Sequence, residues 1–409
     1  MPFLSLNIYE AVMRFLMDKE SDKRGVVSVG LKYVVIGSLL FGILILINKK
    51  IIFSNELEKL PVIIFIYFSS YLFYQYIIQF SKGMEKVQDV AIASVIGTIS
   101  TIGLNIILLL FFHRGLYGFF LAYTVGQLLP AMYLSIRIKL HKYIIFKIDK
   151  VLEKRMISYS LPLIMNSVGW WVNNVSDRYV VTFLCGISIN GIYSVAYKIP
   201  SILNIIQQIF IQAWQISVIK EYDTYDSAKF YGQALEVLNF VMCILCMGLV
   251  LLTRPIARFL YSNEFYLAWR YVPFLLVSCV FNSASGILGP ILSASKNSKA
   301  MGMSAMVGAL TNIVFNFGLV YFIGAQGAAI ATAISSFVIY RMRRKAVKND
   351  ISNYSRWALY MSWVFIIIQA YMEIYIEQYI FQFFLIGIVI ILYRRIIVEI
   401  YKKIKIVIR

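Results

Sequence analysis

Histidine and acidic side chains are scarce in this chain. Its 409 residues include two histidines, His113 and His141, and 20 Asp plus Glu. Both histidines fall at loops, which leaves little support for metal catalysis or imidazole acid–base chemistry. The four cysteines, Cys185, Cys243, Cys246 and Cys279, lie in or beside apolar runs. Cys243-x-x-Cys246 has a metal or redox spacing, but it sits in "VMCILCMGL" without a second ligand pair and reads as packing. No metal site and no cofactor are expected. Extended polar stretches are also missing, so no soluble domain is visible. The opening residues lack a basic region followed by an apolar core and a small-residue cleavage site, and no cleavable signal peptide is expected before the first apolar run.

What the chain has in quantity is apolar sequence. Hydrophobic residues make up 60% and charged residues 14%, more apolar surface than a soluble protein of this length can hide. Spans of about 20 apolar residues cross the hydrocarbon core as helices, because a helix satisfies its own backbone polar groups. Twelve are expected. They are Val26–Ile47, Leu60–Phe80, Asp89–Phe112, Gly115–Ile136, Ser158–Leu184, Gly191–Ile216, Ala234–Leu252, Trp269–Ser293, Ala300–Ile323, Gly324–Tyr340, Trp357–Ile374 and Tyr379–Leu392. The fold class is therefore all-α and polytopic.

The net charge of +19 invites a nucleic-acid reading, but its distribution excludes one. With the N-terminus in the cytoplasm, 29 of the 39 Lys and Arg fall on cytoplasmic segments and 7 on outer loops. Three more, Lys32, Arg178 and Lys198, lie within spans. This positive-inside asymmetry sets orientation, placing both termini in the cytoplasm, and adds some attraction to anionic lipid heads.

The sequence also repeats itself. In "IGTISTIGLNIILLLFFHRGLYGFFLA", Gly97 precedes Asn105 by eight residues, as Gly308 precedes Asn316 in "VGALTNIVFNFGLVYFIGAQGAAIA". Gly115 and Gly118 then match Gly324 and Gly327, and Ala122 matches Ala331, with one two-residue gap. Both copies run from inside to outside and back, so two similar lobes related by an axis along the membrane normal are expected. The expected division is an N-terminal lobe of four spans (1–137), a linker (138–157), a lobe of six spans (158–341), and a further helix pair with a basic tail (342–409). The linker "HKYIIFKIDKVLEKRMIS" places Ile144, Ile148, Val151 and Leu152 on one helical face, with Lys147, Lys150 and Lys154 away from it. An amphipathic helix on the cytoplasmic surface is expected there.

Two successive spans carry polar stripes. Asn166, Trp170, Asn173, Asn174 and Asp177 share one helical face, with Arg178 at its border. Lys198, Ser201, Asn204, Gln208, Gln212 and Gln215 share a face of the next span. A central charge facing lipid costs about 2.5–3.5 kcal/mol on insertion scales, so the stripes should face each other or a water-filled cavity. Asp177 and Lys198 lie at similar distances from the turn at Gly186–Asn190 and are expected to pair, leaving Arg178 for an anionic ligand. Pro200 should kink its span. Trp170 and Trp214 are candidates for stacking on sugar rings; aromatic packing is the plainer reading.

Three stretches carry a family resemblance: "SLNIYEAVMRFLMDKESDK", "YSLPLIMNSVGWWVNNVSDRYVVTFLCGISINGIYSVAYKIPSILNIIQQIFIQAWQISVIKEY" and "GPILSASKNSKAMGMSAMVGALTNIVFNF". Together they resemble the O-antigen type of polysaccharide flippase in the multidrug/oligosaccharidyl-lipid/polysaccharide superfamily. The resemblance implies a two-lobed, MATE-like bundle that moves a polyprenyl-pyrophosphate-linked oligosaccharide from the inner to the outer leaflet by alternating access. Its partners would be that lipid-linked oligosaccharide, membrane lipids, and polysaccharide polymerase and chain-length machinery. It further implies cationic residues in the cavity, matched here by Arg14 in "YEAVMRF" and Arg178 in "SDRY", with Lys198 added from the stripe and Asn166, Asn173, Asn174, Asp177, Asn204, Gln208 and Gln212 as polar lining. In the family pattern "YEAVMRF" resembles the end of the second transmembrane helix, so this chain is expected to lack the first two. The alternatives are a drug/cation antiporter of the same fold, a non-functional fragment, and a membrane polymerase or glycosyltransferase. The antiporter would want acidic groups in its cavity. The enzyme would want a substantial catalytic loop, and the outer connection Thr253–Ala268 offers only Glu264.

Overall fold

The computed structural model describes residues 2–18, 20–52, 60–222, 226–352, 354–376 and 378–398. The connecting segment 53–59, which holds Lys59, and the basic tail 399–409 lie outside the described residues. The chain divides into two compact units, Met1–Ile164 and Met165–Arg409. Helices α1 (Pro2–Ser5), α2 (Ile8–Leu16), α3 (Lys23–Ile52), α4 (Leu60–Gly83), α5 (Val87–Asn105) and α6 (Gly115–Arg137) build the first unit, together with the start of α7 (Lys150–Cys185). The second unit holds the rest of α7, then α8 (Ile187–Ala196), α9 (Pro200–Glu221), α10 (Ser227–Leu251), α11 (Thr253–Leu260), α12 (Val272–Ala294), α13 (Ser298–Ile323), α14 (Ala325–Ala346), α15 (Arg356–Tyr375) and α16 (Tyr379–Leu392).

Among the described residues, nine helices are long and apolar enough to cross a membrane. Helices α7 and α14 have the length but carry polar residues along one side, and α16 is apolar but 14 residues long. These twelve account for the twelve expected runs. The chain is an all-α, multi-pass membrane protein. Helix α12 is the centre of the second unit: 89% of its apolar window is buried.

The structure corrects two expectations. The run Gly191–Ile216 is not one kinked helix. It breaks after Ala196, and Pro200 opens α9 at a first-turn position, where its missing N–H costs nothing. The linker is not a separate amphipathic helix either. Leu140–Tyr143 is a single 3-10 turn, Ile144 is extended, and Lys150 begins the 36-residue α7.

The two repeat copies fold as the helix pairs α5–α6 and α13–α14. The matched glycines Gly115 and Gly324 both turn the chain at positive φ, 52° and 65°, a conformation that glycine adopts without a Cβ penalty. The two-residue gap has a structural counterpart. After Asn105 the first copy passes into a π-helical turn, Ile106–Phe111, whereas α13 runs regularly to Ile323. A π turn, with its i→i+5 bonds, takes more residues per turn than the α-helix around it.

Candidate functional site

Helix α7 turns its polar face inward, onto α13 and α14. Gly169 lets it do so: a Cβ there would lie 2.6 Å from the Ala305 backbone. Close backbone approach through small residues is how membrane helices pack where lipid supplies no hydrophobic drive. It also brings short polar side chains within bonding range.

The result is a buried polar seam through the second unit. Asp177 is fully buried. Its Oδ2 accepts from the hydroxyls of Tyr193 (3.0 Å), Tyr197 (2.8 Å) and Thr332 (2.5 Å), and its Oδ1 from Asn316 Nδ2 (2.7 Å). Asn316 also donates to Asn312 Oδ1 at 2.8 Å, and the Ser176 hydroxyl donates to the same oxygen. One turn along α7, Asn173 Oδ1 accepts from Ser335 Oγ at 2.7 Å. Among the described residues, Asn173 Nδ2 and Asn316 Oδ1 are buried without a hydrogen-bond partner. At the far end Arg343, 4% exposed, donates to Asn166 Oδ1 (3.0 Å), Ser304 Oγ (3.1 Å) and the Ser285 carbonyl (3.1 Å), and its guanidinium lies 5.7 Å from the Trp170 ring centre.

Among the described residues neither end of the seam meets an opposite charge. The Asp177 carboxylate is held by four neutral donors, and Arg343 by neutral acceptors and an aromatic face. Isolated buried charges are costly, and such hydrogen bonds offset part of that cost.

The expected Asp177–Lys198 pair does not form. Similar distance from the turn fixed only depth. The break before Pro200 leaves Lys198 exposed, while two tyrosines of the α8 segment take the carboxylate. Arg178 is exposed and rests over the Tyr197 ring, 5.5 Å from its centre. Tyr197 is thus a joint: its hydroxyl holds Asp177 and its ring carries Arg178. Nor do the two stripes face each other within the unit. Asn173 and Asp177 point into the seam, Asn166 binds Arg343, and Asn174 is exposed. Lys198, Ser201, Gln208 and Gln212 lie on the unit's accessible surface, with Asn204 and Gln215 half-buried.

Two further site candidates are placed differently from expectation. Trp214 is buried, donates to the Ile287 carbonyl at 2.9 Å and stacks on Phe210, so its ring is not open to a sugar. Arg14 is buried and ion-paired to Asp18, one helical turn away. Trp170 stays half-exposed beside Arg343. Sequence reasoning missed Arg343, one of several Arg and Lys near the end of its span, and Thr332 and Ser335, which lack any distinguishing spacing. Asn316 carried a signal, as the polar member of the repeat. Arg254, in the outer connection Thr253–Ala268, is not simply a loop charge. It is ion-paired to the fully buried Glu373 at 3.1 Å and lies 4.1 Å from the Trp269 ring centre, tying α15 to the core.

A family model described as "Polysaccharide biosynthesis protein" matches residues 3–216, just over half of the chain. The chain belongs to that family. The match covers nearly all of the first unit, α7, α8 and most of α9, including Arg14, Asp177, Arg178 and Lys198. A Shigella dysenteriae protein named "Putative O-antigen transporter" is 24% identical over 278 residues, 65% of this chain and 67% of its own length. Two solved structures share the fold of this family member. A multidrug resistance MATE family transporter of the MOP superfamily, in an outward-facing conformation, superposes with TM-score 0.71 at 14% identity, over 86% of this chain and 84% of its own. The lipid II flippase MurJ, inward closed, superposes with TM-score 0.61 at 18% identity, over 98% of this chain and 91% of its own.

Proposed function

We propose that this family member is a flippase, not an enzyme, and that it carries a lipid-linked oligosaccharide across the cytoplasmic membrane for surface polysaccharide synthesis. The family match carries the reading, and the O-antigen transporter relative supports it. The charge pattern separates it from a drug/cation antiporter. The one buried carboxylate on the α7 face is occupied by four donors, whereas the accessible charges beside it, Arg178 and Lys198, are basic. That polarity suits a pyrophosphate and repels a cationic drug. Arg178 is the main anion-binding group, its planar fork matching phosphate oxygens. Lys198 adds charge, and Arg14 is a further cationic candidate, in the first unit. Trp170 and the polar surface of Asn174, Asn204, Gln208 and Gln212 meet the sugars. Asp177 positions Tyr197 and through it Arg178. Both termini lie in the cytoplasm, and the delivered oligosaccharide passes to polymerase and chain-length machinery on the outer face.

The test is complementation of a flippase-deficient strain, reading surface polysaccharide and the amount of membrane-inserted protein. Arg178→Ala should lower transport at least about tenfold, the effect of losing charge-assisted hydrogen bonds, at unchanged protein level. Arg178→Lys should recover part of it. Normal transport by Arg178→Ala would reject this role.

A further inference from the structure

The linker between α6 and α7 has an inward side and an outward side. Inward, the Ile145 N–H donates to Ser28 Oγ (2.8 Å), Tyr143 packs edge-on against Phe80 (5.4 Å between centres), and Leu152 is buried. Glu153 accepts from Lys32 Nζ (2.6 Å) and the Tyr33 hydroxyl (2.9 Å). These contacts strap the segment to the first unit. They also hold it beside the start of a span, because Ser28 and Lys32 stand in the first three turns of the span that begins at Lys23. Residue 146 is thereby held beside the start of that span, the end of a span where head groups meet acyl chains.

Outward, the same segment displays an apolar and basic surface. Phe146 is 100% exposed and Val151 66%. Lys139, Lys142, Lys147 and Lys150 are exposed around them. Of the nearby carboxylates, Glu153 is taken by Lys32 and Tyr33, and Asp149 caps the first turn of α7 by accepting from the Val151 N–H at 2.8 Å. Asp149 keeps its charge, so the four lysines outnumber the one exposed carboxylate within residues 139–151 and leave that surface net positive. A fully exposed phenylalanine among lysines at head-group depth is matched by one kind of surface, an apolar boundary under a layer of negative charge.

We infer that residues 139–151 form an interfacial anchor, with Phe146 inserted at the acyl boundary and the four lysines holding anionic phospholipids of the leaflet on the basic side of the protein. The aromatic residue supplies depth and the lysines supply lipid preference, each lysine near such a surface adding roughly a fivefold preference for a charged leaflet. The anchor fixes the end of α7 that leads into the seam around Asp177. It does not depend on what the protein transports.

The experiment places a nitrobenzoxadiazole label on Phe146→Cys in the full chain, with Cys185→Ser removing the half-exposed thiol. The protein is set in nanodiscs of phosphatidylcholine alone or with phosphatidylglycerol. Controls carry the label at Lys348, an exposed connecting residue, and at Leu310, exposed in mid-span. The label at 146 should emit at shorter wavelength than at 348 and be quenched by nitroxide lipids labelled near the head group more than by those labelled deep in the chain. Phosphatidylglycerol should deepen that quenching, and Lys→Gln at 139, 142, 147 and 150 together should abolish the phosphatidylglycerol effect. Water-like emission at 146 in both lipids, or quenching indifferent to phosphatidylglycerol, would overturn the proposal. Both leaflets of a nanodisc have the same composition, so the outcome stands apart from orientation and from flippase activity.

Discussion

The helix pairs α5–α6 and α13–α14 come from the same repeated sequence and are put to different use. Each turns on a glycine at positive φ, and each packs through small residues: a Cβ on Gly97 would lie 2.9 Å from the Gly126 carbonyl, and one on Gly308 2.3 Å from Ile339. Their asparagines part company. Asn105 donates to Thr101 O, 2.9 Å away in its own helix, and a π turn follows it. Asn316 donates across to Asp177 and closes the seam. Their carboxylate and arginine partners differ likewise. Asp89 meets Arg137, whose side chain is 58% exposed, whereas Asp177 and Arg343 are buried and meet no opposite charge among the described residues. A duplicated scaffold conserves the turn and the close approach, and the chemistry depends on what a third helix brings. Here α7 brings Asp177 to the second copy.

The largest break in this comparison should come from the carboxylates. Asp177→Ala removes the acceptor shared by four donors, among them the fully buried Tyr193 hydroxyl, and should destabilise by about 3 kcal/mol. Asp89→Ala, which releases an exposed arginine, should cost about 1 kcal/mol or less. Thermal unfolding of the two variants in detergent reads the difference; equal losses would mean that the seam holds nothing together. The arginines come next. Arg343→Ala removes a buried side chain that binds three acceptors and should cost about 2–3 kcal/mol, against about 0–1 kcal/mol for Arg137→Ala. The same melts measure this. The smallest and sharpest contrast is between the matched asparagines. Asn316→Ala should lose about 1–2 kcal/mol, and Asn105→Ala about 0.5 kcal/mol or less, because its hydrogen bond is local to its own helix. A reversal of that order would move the functional copy to the first unit.

Much of this was legible before any coordinates. Uncharged runs of span length leave few alternatives to helices in lipid, and α16 matches its expected range, Tyr379–Leu392, to the residue. Ordered glycines gave the repeat, and even its gap had meaning in the π turn. Asp177 stood out because a carboxylate in an apolar run demands a partner. The partner itself was illegible. Depth along a span can be counted from a turn, but the direction a side chain points depends on helix phase, and Pro200 restarts that phase. The donors that do hold Asp177 come from Tyr193 and Tyr197, near in sequence, and from Asn316 and Thr332, some 140 to 155 residues away. The linker failed for a related reason. Its spacing is amphipathic, but Ile144 is extended, the Ile145 N–H bonds to Ser28, and helix begins only at Lys150.

By itself the sequence determined the solvent of this protein, the order of its long helices, and the match between the two helix pairs. Those follow from hydrophobicity and periodicity, which add along the chain. Tertiary structure alone decided which buried charges are paired. It left Asp177 to neutral donors, set Arg343 against Trp170, joined Arg254 to Glu373 and kept Arg178 and Lys198 exposed. A hydrogen bond depends on positions to within a few tenths of an ångström between helices far apart in sequence, and no local pattern records them.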